Sequence, residues 1–455
     1  MPYEISNKLF PISHPYYYAL KAPASKLLNM LFKSGSDVKG VLLVTQDFIE
    51  RCVIALTFYC RAPIEGIVSF FDLVIGHHVC KGCIHEIRKK AYERAKEYDS
   101  GIRLENIQYV AMDEIFQQQV PILTSVDLEH GYVITMEATE DRTGETWKRT
   151  LDKEKEKGFQ PRLCVSDGGS GLLNGIPKAF PEIEMQLDVF HSLRDLGKEV
   201  SKQERHALAK LTELCSLESR LDGTKVHKKT FEKYQTASSQ IADILAKADT
   251  LNILFSWIRE IVGFSGYGYS KSLELCNWIL DEMLLLYPEH KKYLGAVEAF
   301  RRRVPSLLMF LRRLASDMER LAASFNADAH AFMLMYNQSA YPVGSAEYSA
   351  IEARLYRVFK NRLPDARIAL QEILRKTYRA SSMIENVNGR LRSFIHLKRE
   401  VPDDCLLLIK VFFNTKKAMR SRNKEWVNTS AIDRLTGTSN PEFLDIVSAP
   451  LDYVA

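Results

Sequence analysis

The 455-residue chain is 46% hydrophobic and 26% charged, with a formal net charge of +5. That balance describes a folded protein with large cores, of about two to four domains, and excludes a low-complexity or disordered chain. Its most apolar stretch, VIALTFYC from Val53 to Cys60, falls far short of the ~20 residues that span a bilayer, so no membrane partner is expected.

Charge is unevenly spread. Between Arg390 and Lys424 basic residues far outnumber acidic ones, and Arg301, Arg302, Arg303, Arg312 and Arg313 form a second cluster. Two such clusters point to a polyanionic partner. Six of the eight cysteines sit in apolar surroundings, as free thiols do. The start, MPYEISNKLF, has no charged region leading into an apolar one, so a cytoplasmic location is expected.

Residues 1–40 read as an arm with one short helix at LLNMLF. Residues 41–100 read as three helices: TQDFIERCVIALTFYC, then IEGIVSFFDLVI after Pro63, then CKGCIHEIRKKAYERAKEY after a turn at Gly76. Two short helices, a glycine turn and a basic helix make a helix-turn-helix pattern, with Lys81, His85, Arg88 and Lys89 facing a major groove. The alternative is a plain three-helix bundle. Cys80 and Cys83, with His77 or His78, also admit a zinc site, although no second pair completes a standard finger.

From Ile107 the period becomes strand-like. IQYVAMD predicts a buried strand ending at Asp113. VPILTSVDLEHGYVITMEAT predicts a hairpin turning at Glu129-His130-Gly131. A charged helix follows, stopped by Gly158. RLCVSD is a strand ending at Asp167, GGSGLLNGIPKAF a short helix, and EIEMQLDVFH a fifth strand running into His191. If the first and fourth strands are neighbours in this five-stranded mixed sheet, Asp113 and Asp167 point into one site. Asp127 lies mid-hairpin, and strand alternation sends Glu114 to the face opposite Asp113.

Residues 201–375 show helical patterns only, an all-helical block with Trp257 and Trp278 expected in its core. RASSMIENVNGRLRSFIHLK then predicts an amphipathic helix on which Glu385, Asn388 and Arg392 project together. A carboxylate, an amide and a guanidinium in line suit metal-held phosphate chemistry. Glu385 would ligate a cation, while Asn388, Arg392 and Lys398 meet a DNA backbone. Residues 376–430 hold this helix and the next, and residues 431–455 read as a tail.

Four segments carry a family resemblance: AMDE at 111–114, VSDGG at 165–169, DVFH at 188–191 and SSMIENVNGRLR at 381–392. Together they resemble the DDE transposases of the Mutator-like and related bacterial insertion-sequence clade, over roughly residues 45–430. The resemblance implies a ribonuclease-H-like α/β core, built from residues 105–200 and 376–430 and interrupted by the helical insertion at 201–375. It implies an N-terminal helical domain that binds transposon ends, although no zinc ribbon of the kind some relatives carry is visible. It also implies Asp113, Asp167 and Glu385 as the catalytic triad, His191 near the scissile phosphate, and Asp188 supporting the local fold.

In-line attack on a phosphodiester suits two divalent ions about 3.5–4 Å apart, with oxygen ligands that favour Mg²⁺ or Mn²⁺. Asp113 would bridge both ions, Asp167 hold one and Glu385 the other. Expected partners are double-stranded DNA, as terminal repeats and target, and further copies of the chain in a dimer or larger assembly, at the nucleoid of a prokaryotic cell. The alternatives are a catalytically silent DNA-binding derivative and a stand-alone nuclease on the same sheet.

Overall fold

The computed structural model describes residues 13–31, 44–221, 227–263, 266–396, 401–421 and 423–448. The N-terminal region holds α1 (His14–Leu31), α2 (Gln46–Phe58), α3 (Ile64–Phe70), which runs on as a π-helical turn over Phe71–Ile75, and α4 (Lys81–Ser100). Helix α1 starts at His14, well before the short segment expected at LLNMLF. The Thr45 hydroxyl caps α2, and Gly76, at φ 70°, stops the second helix as its position suggested.

Next come β1 (Tyr109–Gln117), β2 (Val120–Asp127), β3 (Val133–Ala138), α5 (Gly144–Lys155), β4 (Leu163–Ser166), α6 (Ser170–Ala179) and β5 (Glu184–Leu187). This is the expected order of strands and helices. They form one mixed sheet in the order β3-β2-β1-β4-β5, with β1–β2 and β2–β3 antiparallel and β1–β4 and β4–β5 parallel. Strand β1 does not end at Asp113. It continues to Gln117 because Ile115 keeps the buried alternation and pairs with Ile122 across a tight hairpin.

The helical block comprises α7 (Val189–Leu221), α8 (Lys228–Val262), α9 (Tyr269–Leu286), α10 (Lys291–Leu307), α11 (Met309–Phe325), α12 (Ala329–Gln338), α13 (Ala346–Phe359) and α14 (Leu363–Arg375). Among its described residues there is no strand. It carries two apolar clusters, one over α7–α11 and one over α11–α14. It is seated on the sheet edge by Gln186 of β5, whose amide donates to the carbonyls of Ser306 (3.3 Å) and Leu307 (3.0 Å). Trp257 and Trp278 do not enter this core. They stack on each other at 6.3 Å and stay 43% and 50% exposed, since they face outward from α8 and α9.

The chain closes with α15 (Ser382–Ile395), α16 (Asp403–Thr415), α17 (Ala431–Thr436) and α18 (Phe443–Val447). The boundary expected near residue 100 does not separate two cores. Val53, Ile54 and Phe58 of α2, Ile84 of α4, Ala111 and Ile115 of β1, and Leu391 and Phe412 of the late helices belong to one apolar cluster. Helices α2 to α4 therefore share the apolar core of the sheet. No described helix is long and apolar enough to cross a membrane.

Helix α16 also closes the β3 edge. The Asn414 amide donates to the Val133 carbonyl (2.8 Å) and accepts from the Val133 N–H (2.7 Å), with both residues buried. Asn414→Ala orphans two buried backbone groups at about 1–3 kcal/mol each. We expect a loss of at least about 2 kcal/mol, read as a lower urea midpoint at unchanged slope.

Candidate active site

The parallel pairing of β1 with β4 ends at Met112 and Ser166, so Asp167 comes level with Asp113 in the next register position. Past Ser166 no β4 residue lies against β1, which leaves that end of the sheet open. For that reason Glu114, although it alternates away from Asp113, is not remote. Asp113, Glu114 and Asp167 each offer an oxygen, all within 4.8 Å of one another. The expectation that Glu114 stands apart is corrected by the early end of β4.

The turn after β4 shapes this cluster. Gly168 is left-handed at φ 84°, and the Gly169 N–H donates to Asp167 Oδ1 at 2.9 Å. A Cβ at Gly171 would lie 1.9 Å from the Arg142 carbonyl, so only glycine lets α6 approach here. Arg142 in turn places one guanidinium nitrogen 3.2 Å from Glu114 Oε1.

Asp113 is held from two sides. Its Oδ1 accepts the Glu114 N–H (2.9 Å) and its Oδ2 accepts the Asn388 amide (2.8 Å). Thr124, on the antiparallel neighbour, donates to the Asp113 carbonyl (2.9 Å) and lies 3.0 Å from Asn388 Oδ1. Asn388 is 1% exposed and cannot serve as the expected DNA contact. It faces the sheet because Val387 and Leu391 on either side of it belong to the core cluster.

Asp188 joins the next two pieces. Its Oδ1 accepts the His191 N–H (3.0 Å), and its Oδ2 accepts the Ser381 N–H (2.7 Å) and the Ser381 hydroxyl. Burial pushes the Asp188 carboxyl up, but hydrogen bonds from His191 and Ser381 outweigh it and hold the group below its usual range. His191 stands in the first turn of α7, with Nδ1 3.2 Å from Asp188 and Nε2 3.2 Å from Glu385 Oε1. The Asp188 carboxylate beside Nδ1 raises the imidazole above its ordinary value against the pull of burial.

Glu385 is therefore in the neighbourhood but outside the close carboxylate group. His191 holds it on one side, and Arg194 lies 3.9 Å away. His191 is also near enough to Asp113 to favour its charged form. The structure brings Asp113 and Asp167 together and sets His191 and Glu385 beside them, with Glu385 paired to His191 rather than joined to the carboxylate cluster where it was expected as a ligand. It adds Glu114, whose only sequence signal was its place beside Asp113.

The donor set fits a hard divalent cation. It is all oxygen, and Glu114 Oε2 is buried with no hydrogen-bond partner among the described residues. Burial, then Asp167, push Asp113 up to about 6, and burial, then Asp167 and Asp113, push Glu114 up to about 7.

The helix-turn-helix candidates lie elsewhere. Lys81, His85, Arg88 and Lys89 line a groove of about 1080 Å³ between α3, α4 and the end of α15, where Arg61 stands 4.9 Å over Phe394. Lys81 is paired with Glu65 at 2.8 Å. Arg392 is exposed, and Lys398 lies outside the described residues. Cys80 and Cys83 place their sulfurs 3.2 Å apart, but His78 bonds Asp72 at 2.8 Å. No third metal ligand joins the two thiols among the described residues.

Residues 63–260 match the family described as "Transposase, Mutator family". This segment is similar to the transposases of the Mutator family. It begins inside the N-terminal helices, in keeping with their shared core, and includes Asp113, Asp167 and His191 but ends before Glu385. The transposase for insertion sequence element IS905 of Lactococcus lactis subsp. lactis (strain IL1403) is 24% identical over 170 residues, 35% of this chain. The match spans 43% of that relative's length. The Drosophila P element transposase strand transfer complex aligns over 96% of this chain and 99% of its own, at 10% identity and a TM-score of 0.26, too low to carry an argument.

The raised carboxyls of Asp113 and Glu114 set a pH dependence. Glu114 keeps its proton in the folded protein up to about 7, whereas its ordinary value is 4.5. Between those values the unfolded chain has released a proton that the native state retains, so this group's contribution to stability falls as pH rises. Below that window Glu114→Gln should match the wild type. We expect its melting temperature in chelator to gain on the wild type from pH 4.5 upward and to level off above about 7.

Proposed function

We propose that the chain is a transposase that binds the ends of its element and catalyses metal-dependent 3′-end cleavage and strand transfer at the Asp113–Asp167 site. The observation that carries this reading is the meeting of Asp113 and Asp167 at one sheet end, with His191 and Glu385 beside them, within or beside the segment similar to Mutator-family transposases. The sheet order, with its antiparallel β1-β2-β3 and parallel β4 and β5, supports a ribonuclease-H-like core interrupted by the helical block.

In this reading Asp113 and Asp167 hold Mg²⁺ or Mn²⁺. Bound divalent cations would activate the attacking oxygen and stabilise the leaving one. The chain's own residues do the positioning. Asn388 fixes the Asp113 carboxylate and is itself held by Thr124, and Asp188 flanks His191 Nδ1 while Nε2 meets Glu385. A protonated Nε2 donates to a non-bridging phosphate oxygen. Lys81, His85, Arg88 and Lys89 meet the backbone and groove of the terminal repeats, and Arg392 extends this basic surface. Two element ends must be handled together, so a dimer or larger assembly is part of the proposal.

A strand-transfer assay with Mg²⁺ and terminal-repeat DNA tests the reading. The wild type should join ends to target. Asp167→Asn should lose both cleavage and joining while still binding ends, and retained cleavage would overturn the assignment. Binding without cleavage by the wild type would mark a silent derivative, and cutting without joining a nuclease. Arg88→Ala with Lys89→Ala should weaken end binding and flatten its dependence on salt by about one slope unit for each lost phosphate contact.

A further inference from the structure

We propose that, with no DNA bound, Glu114 supplies the third carboxylate of the divalent-cation site, and that His191 and Arg194 hold Glu385 out of it. The proposal rests on the reading above, in which Asp113 and Asp167 hold the cation. Two separate observations lead to it.

The first is the state of Glu114. Its side chain is 4% exposed, with one oxygen 3.2 Å from Arg142 and the other buried without a partner. It stands within 4.8 Å of two more carboxylates. A carboxylate withdrawn from water with one oxygen unsatisfied, beside two like charges, is costly unless a cation joins it. Arg142 is 58% exposed and reaches one oxygen only. It neutralises part of the cluster from the rim and competes with a cation for the same carboxylate.

The second is the state of Glu385. Its carboxylate is 36% exposed and meets His191 Nε2 at 3.2 Å, with Arg194 at 3.9 Å. It is satisfied where it stands. Helix α15 cannot carry it closer, because Asn388, one turn along, already touches Asp113 at 2.8 Å. Glu385 can enter only by rotating its side chain and giving up His191. A DNA phosphate at His191 supplies the anion that replaces it, so substrate arrival itself frees the carboxylate.

Calorimetric titration of the full chain with Mn²⁺ at pH 7.5, without DNA, tests this. The wild type should bind, and Asp113→Asn and Asp167→Asn should lose binding. Glu114→Gln should weaken affinity at least about tenfold, the smallest loss typical of changes even in the outer shell of metal sites. Glu385→Gln should stay within about twofold of the wild type. Arg142→Gln should bind more tightly, because the competing cation is gone. Should Glu114→Gln fail to fold, Glu114→Asp, with its shorter reach, should still weaken binding.

Unchanged affinity in the Glu114 variants, or a large loss in Glu385→Gln, overturns this proposal and leaves the Asp113–Asp167 reading standing. Wild-type affinity retained in both aspartate variants, or no Mn²⁺ binding by the wild type, overturns both.

Discussion

A buried carboxylate, Asp188, ties together two parts of the chain that the whole helical block separates in sequence. One oxygen takes the His191 backbone N–H at the start of α7, and the other takes the Ser381 backbone and hydroxyl just before α15. The Val189 N–H adds a bond of 3.1 Å to the Arg379 carbonyl at the same junction. Residues 201–375 can therefore fold as a separate layer without loosening the place where the chain leaves the sheet and returns to it. The register of α15 on β1 and β2, and with it the Asn388–Asp113 bond, depends on this junction.

Around it the electrostatics are unbalanced in a directed way. Asp188 is oversupplied with donors and stays ionised, which fixes the imidazole of His191. Asp113 and Glu114 are undersupplied, share the field of Asp167, and retain protons well above the usual carboxylate range. Buried acids pushed apart in this way by their surroundings are the pattern that functional sites show more often than structural ion pairs do. The contrast lies in the Asp99 cluster, where a buried carboxylate has Lys410 at 2.9 Å and Lys157 at 2.6 Å and is held low despite its burial. That cluster is a staple between α4 and α16, and nothing about it asks for a ligand.

Much of this architecture is legible in the residues. Alternating runs marked the hairpin and buried apolar runs the first and fourth strands, and an aspartate closing the fourth suggested a site shared with Asp113 if those two strands were neighbours. A local support role for Asp188 came from the resemblance alone, and its carboxylate accepts from His191 and Ser381. What the residues hid has physical causes. Alternation along β1 says that Glu114 turns away from Asp113, but it cannot say that β4 stops at Ser166 and leaves that end of the sheet open. The polar strip on α15 looked uniformly outward, yet the sheet approaches it at Asn388 and leaves Arg392 in solvent. The stacked tryptophans were expected inside because of their size, and neither helix turns that stripe inward. A helix-turn-helix pattern is local by nature, so it could not disclose that α2 and α4 share apolar contacts with residues three hundred positions away.

Helix α7 runs unbroken for 33 residues from Val189, which makes it a rod on the order of 50 Å long with His191 in its first turn. Asp188 sits at its foot like the pin of a hinge. A tilt of the far end by a few degrees displaces that end by several ångströms, while the imidazole near the pivot moves by a small fraction of one. The Asp113–Asp167 end of the sheet therefore sits where the lever arm of that helix is shortest, because the histidine stands at its root rather than along its length.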